Sequence, residues 1–229
     1  LPGAVGRVTA FGTGPLIVAS LGIVLLGLLR TPLRWSGGIA LVAAIVWAIA
    51  SPRPEVLVSA DARNVAVRGH DGRLHLMRGA KDNFLLKEWL AADADARPID
   101  DATLGEGVSC DDSGCVAALA DGRLVASSLR SDALADDCER AALIVTARQA
   151  PANCPAALID LLRLRRHGAL ALWRKDDGFR VEAVRPVGFD RPWSPATATD
   201  AEQGESLLLQ GRRVPQDATP AEQDLQPDD

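Results

Sequence analysis

The chain has 229 residues, a formal net charge of −5, 4% aromatic residues and no tyrosine. These totals argue against an independent nucleic-acid-binding surface, which needs a basic excess and aromatic stacking platforms. They leave room for one membrane element and one soluble domain of ordinary size.

Residues 1–10 read as the end of a preceding segment, and the whole as the C-terminal piece of a longer membrane protein. Phe11 to Leu29 is a run of nineteen residues without a charge, and Trp35 to Ala50 adds sixteen more. As helices they would be about 28 Å and about 24 Å long, against a bilayer core of about 30 Å. The second is short but tolerable, because bilayers thin and flanking side chains snorkel. Residues 11–50 therefore read as a transmembrane helical hairpin. The competing reading is one signal-like segment plus a buried helix, but a signal peptide carries a single apolar run.

Arg30 and Arg34 fall in the short turn. Arginine-rich short loops stay on the cytoplasmic side, so whatever follows the hairpin is expected in the periplasm. Four cysteines fit that oxidising side. Cys110 with Cys115 and Cys138 with Cys154 are candidate disulfides, although four cysteines allow three pairings.

Residues 51–54, Ser-Pro-Arg-Pro, end the helix and form a stiff linker. A soluble α+β domain is expected over 55–195. Its first strand is Glu55–Ser59, and a hairpin over 64–68 and 73–77 turns at an Asp-Gly pair. Val65, Val67, Leu74 and Leu76 are expected on one apolar face, with His75 on an exposed one. A helix over Phe84–Leu90 should face the core through Phe84, Leu85 and Trp89, with Leu86 and Leu90 as further candidates. A loop over 91–101 precedes strands at 107–110, 115–119 and 123–127. The pattern Asp-Gly-Arg-Leu occurs at 71–74 and again at 121–124, a weak sign of duplication because Asp-Gly is a common turn. Residues 131–138 start a helix or turn, and 141–146 read as a strand buried on both faces. Residues 157–166 fit either a strand and a helical turn or one amphipathic helix. Strands at 168–173 and 179–184 form a hairpin, followed by an irregular exit. Residues 196–229 read as an acidic disordered tail, apart from a brief contact at Leu207–Leu209.

Little in the chain points to catalysis. The three histidines, His70, His75 and His167, fall in no metal-binding spacing, and a catalytic zinc needs three protein ligands held together. No phosphate-binding glycine loop or nucleophile elbow is present. No cofactor or metal is expected. The weak candidates are Asp136, Asp137 and Asp160, carboxylates beside the apolar strands, and the basic run Arg165, Arg166 and His167, which could touch phosphate or an acidic partner. A helix cap and a solvated helix face account for them equally well.

Several stretches together carry a resemblance: PEVLVS (54–59), ARNVAVRGHDGRL (62–74), EWLAADADAR (88–97), CDDSGC (110–115), ADDCERAALIVTA (135–147), CPAALID (154–160), RRHGALALW (165–173) and RPWSP (191–195). In this order they resemble the C-terminal end of ComEC-type competence proteins of alphaproteobacteria. The resemblance implies a polytopic inner-membrane channel passing single-stranded DNA into the cytoplasm. It also implies an extracytoplasmic domain of metallo-β-lactamase-like fold, a four-layered αββα sandwich. The family's aspartate–histidine metal cluster and glycine-rich opening have no counterpart here, which implies a degenerate, non-catalytic domain. The expected partners are the rest of the channel, the lipid bilayer, other competence or envelope proteins, and single-stranded DNA. Two rivals are a metal-dependent nuclease or hydrolase using Asp136, Asp137, Asp160 and a histidine, and a structural module that binds an envelope protein.

Overall fold

The computed structural model describes residues 9–77, 83–148, 153–175, 178–186 and 208–210. These form a mixed α+β chain with two sheets and five α-helices.

The first two helices, α1 (Thr13–Leu28) and α2 (Trp35–Ala50), pack as an antiparallel hairpin. Their closest approach is at Gly22 and Gly37. A Cβ on Gly37 would lie 2.5 Å from the Gly22 carbonyl oxygen, and one on Gly22 would lie 2.9 Å from that of Gly37. Backbones this close require glycine on both sides. Away from the seam the hairpin is apolar and uncovered: Ile17, Leu21 and Ile23 on α1, and Ile39, Val42 and Ile45 on α2, are all exposed.

The two helices differ in length from the expectation. The first apolar run is helical over only 16 residues, since Gly12 and Leu29 are extended. The second gains a 3₁₀ turn, Pro32–Arg34, at its front. Proline suits the first turn of a helix, where its missing N–H costs nothing. Pro32–Ala50 thus becomes a 19-residue stretch, the one helix among the described residues long and apolar enough to cross a membrane.

The chain after the hairpin forms two sheets packed face to face. In the first, β1 (Val56–Val58) lies between β2 (Val65–Arg68) and β9 (Leu170–Lys175); β3 (Leu74–Met77) flanks β2, while β10 (Gly178–Ala183) and then β11 (Leu208–Gln210) flank β9. Every pairing is antiparallel. The second sheet runs β4 (Val108–Cys110), β5 (Gly114–Ala118), β6 (Leu124–Ser128), β7 (Leu143–Thr146), β8 (Ala157–Ile159). It is antiparallel as far as β6 and parallel from there. Helix α4 (Leu134–Arg140) makes the β6–β7 crossover. Val56, Val58, Val67, Leu172 and Phe179 of the first sheet meet Val125, Leu143, Val145 and Ile159 of the second in one core. Leu134 and Cys138 of α4 cover Ala126 and Ile144 on the second sheet's other face. Strand β7 is therefore buried on both faces, as its unbroken apolar run requires. The ambiguous stretch 157–166 divides into β8 and a short helix, α5 (Leu161–His167), because Asp160 caps the helix at that point.

Three local expectations are corrected. Val65 pairs with Met77 and Val67 with His75, so Leu74 and Leu76 lie on the opposite face with Arg68 and Ala66. The five-residue turn Gly69–Arg73 sets that parity, and a shift of one residue moves every side chain to the other face. For the same reason His75 faces the second sheet and is buried rather than exposed. Helix α3 (Asn83–Ala92) buries Leu90 and half-buries Leu85, Leu86 and Trp89, but Phe84, expected on the core face, is 74% exposed. The contact expected at Leu207–Leu209 appears as β11, with Leu208 opposite Arg180 and Leu209 opposite Phe179. Residues 1–8, the exit at 191–195 and the rest of the tail at 196–229 lie outside the described residues.

Candidate functional site

Strand polarity fixes which end of the domain meets the hairpin. The chain leaves α2 at Ala50 and enters β1 at Val56 after the linker. The near end of the first sheet therefore carries the start of β1, the end of β2, the β2–β3 turn and the end of β9.

Arg68, the last residue of β2, organises this junction. Its Nε donates to the carbonyl oxygen of Pro54 at 3.0 Å, and its Nη1 to that of Gly72 at 2.7 Å. Nη1 and Nη2 also donate to the Asp93 carboxylate at 3.0 and 2.6 Å. Asp93 directly follows α3, and the last carbonyl of α3, on Ala92, accepts from the Ala10 N–H at 2.7 Å. One guanidinium thus grips the hairpin's exit at Pro54 directly and its entrance through the Asp93–Ala92 segment. Trp173 of β9 adds a second grip, with Nε1 donating to the Pro52 carbonyl at 3.0 Å. The hairpin is bonded to the domain at both its ends. A buried, bidentate pair holds geometry better than a flexible surface bridge.

Arg68 was legible only as a strand residue. The available signal is a cation closing a short apolar strand immediately before a glycine turn, where a buried arginine needs a fixed carboxylate partner.

Beside the junction, a cleft of ≈ 270 Å³ opens between the sheets, lined in part by His70, Asp71, His75 and Glu106. His75 Nε2 lies 3.0 Å from Asp71 Oδ1. Burial works against ionisation of Asp71, but the Arg73 N–H and His75 outweigh it and hold its carboxyl below the ordinary 3.8. His75 Nδ1 is buried without a hydrogen-bond partner. The Nε2 contact ties Asp71 in the β2–β3 turn to His75 on β3.

The candidate site residues are scattered. Cys110–Cys115 and Cys138–Cys154 are both disulfide-bonded, and no described cysteine is free. The first bridge closes the β4–β5 hairpin, and the second ties α4 to the segment before β8. Asp136 pairs with Arg140 one turn along at 3.2 Å. Asp137 Oδ2 accepts from the Ser128 hydroxyl of β6. Asp160 caps α5 by accepting from the Arg163 N–H at 2.9 Å. Among the described residues no three His, Cys, Asp or Glu side chains gather as a metal site. Arg165, Arg166 and His167 occupy the last turn of α5, where cations complement the helix dipole. Arg185 joins them, its Nη1 donating to the Arg165 carbonyl at 3.3 Å and its N–H to that of His167 at 2.9 Å. This basic group adjoins the start of β9, which pairs with the end of β1, and so sits at the far end of the domain from the hairpin.

Comparison with known proteins finds no matching family model, no matching characterised protein and no matching solved structure.

Proposed function

We propose that the chain is the C-terminal part of a polytopic inner-membrane protein of ComEC type, which takes up single-stranded DNA during transformation. In this reading α1 and α2 both cross the membrane, entering from the periplasm and turning in the cytoplasm at Arg30 and Arg34. The sandwich is then a periplasmic, degenerate metallo-β-lactamase-like domain. The observation that carries the proposal is the pairing of two things: a hairpin apolar on every outward side, and a domain with two disulfides bonded directly to both hairpin ends. An all-apolar helix surface fits lipid or neighbouring membrane helices, and disulfides fit an oxidising compartment. Helix α1 is short for a bilayer, which thinning and its place in a tight hairpin accommodate.

The domain's role is structural. Asp136, Asp137 and Asp160 each serve a local bond, which supports a non-catalytic domain that braces the channel or presents its partners. The partners are the remaining channel helices, the bilayer, other competence or envelope proteins, and the incoming DNA strand.

Two experiments test this. Arg63 is an exposed turn residue at the domain's far end. Arg63→Cys should react with a membrane-impermeant maleimide in intact spheroplasts; reaction only after lysis overturns the periplasmic placement. In a transformable host, removing residues 55–186 from the native protein should lower DNA uptake, and unchanged uptake overturns the functional reading. Metal-dependent cleavage of DNA by the purified chain would overturn the non-catalytic role.

A further inference from the structure

The grip on the linker has a consequence at the membrane surface. Trp173 is half-buried, and its indole N–H is committed to the Pro52 carbonyl, two residues past the end of α2. That bond fixes the depth of the ring relative to the hairpin. Across the β9–β10 pair, Arg180 is directly opposite Trp173, and its guanidinium carbon lies 4.6 Å from the ring centroid. Arg180 is exposed, and among the described residues no carboxylate pairs with it. Arg53, also exposed, lies in the linker between the two bonded prolines. An indole held just outside a membrane helix, with its N–H satisfied and a cation on its face, has the chemistry of the lipid headgroup layer.

We infer that the Trp173–Arg180 stack is an interfacial anchor, with the indole in the headgroup layer and the Arg180 guanidinium on a phospholipid phosphate. This rests on the membrane reading of the hairpin. Net charge does not carry it, because Glu55 and Asp121 share this end of the domain with Arg174 and Arg123. Asp176 and Asp177, in the β9–β10 connection, lie outside the described residues. What carries it is the position of the stack, continuous with the hairpin and tied to its exit. The anchor would set the domain's floor on the bilayer and stop it rocking about the linker.

The test uses the 229-residue chain reconstituted in vesicles of phosphatidylcholine and phosphatidylglycerol, with Trp173 as the sole tryptophan and the other four changed to phenylalanine. A headgroup-nitroxide lipid should remove most of the Trp173 emission, while lipids brominated on the acyl chain should remove little. Arg180→Glu should cut the headgroup quenching severalfold. A second chain keeping only Trp47, which lies three residues, about 4.5 Å along the axis, inside the end of α2, reports on the hairpin itself and should be quenched by the acyl-brominated lipid. If Trp47 is quenched and Trp173 instead stays open to aqueous iodide, the anchor is overturned and the hairpin stands. If Trp47 is also unquenched, the membrane reading fails first. If a single-stranded oligonucleotide quenches Trp173 and the headgroup nitroxide does not, the stack belongs to nucleic acid and the lipid assignment is overturned. Should the substituted chains not fold, ¹⁹F NMR of the native sequence with 5-fluorotryptophan reads the same depths. Trp173→Phe and Trp47→Phe assign the two signals.

Discussion

Arg68 and Asp93, 25 residues apart in sequence, meet through two hydrogen bonds of 3.0 and 2.6 Å, with each side chain about nine-tenths buried. The pair joins the end of β2 to the end of α3, and through them the two ends of the hairpin. Removing one partner of a buried pair leaves the other charge desolvated and uncompensated, which costs about 3–5 kcal/mol. Asp93→Ala should therefore lower the stability of the detergent-solubilised chain by that amount in urea titrations. Replacing both residues with apolar ones of similar volume, as in Arg68→Met with Asp93→Leu, should cost much less. Losses in Arg68→Met and Asp93→Leu that simply add in the double variant would show that the pair is not coupled.

The hairpin seam predicts a sharp difference between glycines. Gly37 has no room for a side chain against Gly22, whereas a Cβ on Gly27 meets nothing within 4 Å. Gly37→Val should force the helices apart at a cost of about 1–3 kcal/mol, seen as a lower melting temperature in detergent and faster proteolysis at the 29–31 turn. Gly27→Ala should leave both unchanged.

Two alanines occupy positions better suited to glycine. Ala94 has φ 58° and follows α3, where Asp95 N–H reaches Leu90 O and Ala94 N–H reaches Ala91 O, a Schellman closure. Ala62 has φ 57° in the β1–β2 turn. A left-handed residue with a Cβ costs about 1–2 kcal/mol, so Ala94→Gly and Ala62→Gly should each raise the melting temperature. Gly72 and Gly122, at φ 74° and 84° in the two Asp-Gly turns, should behave in reverse when changed to alanine. A lower melting temperature in Ala94→Gly and Ala62→Gly, or a higher one in Gly72→Ala and Gly122→Ala, would refute the strain argument.

The acid limb of stability should be steep. Burial pushes the Asp95 and Asp121 carboxyls up, but Arg97 outweighs it at Asp95, and Arg123 with Arg174 does so at Asp121, leaving both below the ordinary 3.8. Asp111 is lowered by the Gly114 and Ser113 N–H groups. A carboxyl whose folded value is depressed binds fewer protons folded than unfolded. Its stabilisation is therefore complete above the unfolded value and lost as pH falls through the folded one. Unfolding free energy should thus be flat above about pH 5 and fall below about pH 4. Asp95→Asn should shallow that fall, and an unchanged slope would remove Asp95 from the account.

The two disulfides should contribute unequally. Cys138 and Cys154 close a longer loop, with a sequence separation of 16 against 5 for Cys110 and Cys115. Chain entropy assigns about 3 kcal/mol to a loop of about 15 residues and less to a shorter one. The Cys138→Ser, Cys154→Ser double variant should lose more stability than the Cys110→Ser, Cys115→Ser one.

Composition and local pattern determined much by themselves. The two apolar runs, the Asp-Gly turns at 71–72 and 121–122, a buried strand within 141–146 and the helix stop at Ser51 are short-range consequences of hydrophobicity, glycine and proline, and they were readable from local pattern. The cysteine pairs were legible as candidates and not as a choice, because pairing depends on which strands become neighbours. The tertiary structure alone decided the rest. It set the parity of the β2–β3 hairpin, which turned His75 toward the second sheet and buried Leu74 on the first sheet's other face, because turn length fixes register. It gave Asp136, Asp137 and Asp160 separate local partners, because Asp136 pairs along α4 with Arg140, Asp137 meets Ser128 of β6, and Asp160 caps α5. It brought Arg68 to Pro54, Asp93 and the start of the hairpin, since a contact spanning 25 residues depends on how the sheet and α3 pack and leaves no periodic trace in the sequence.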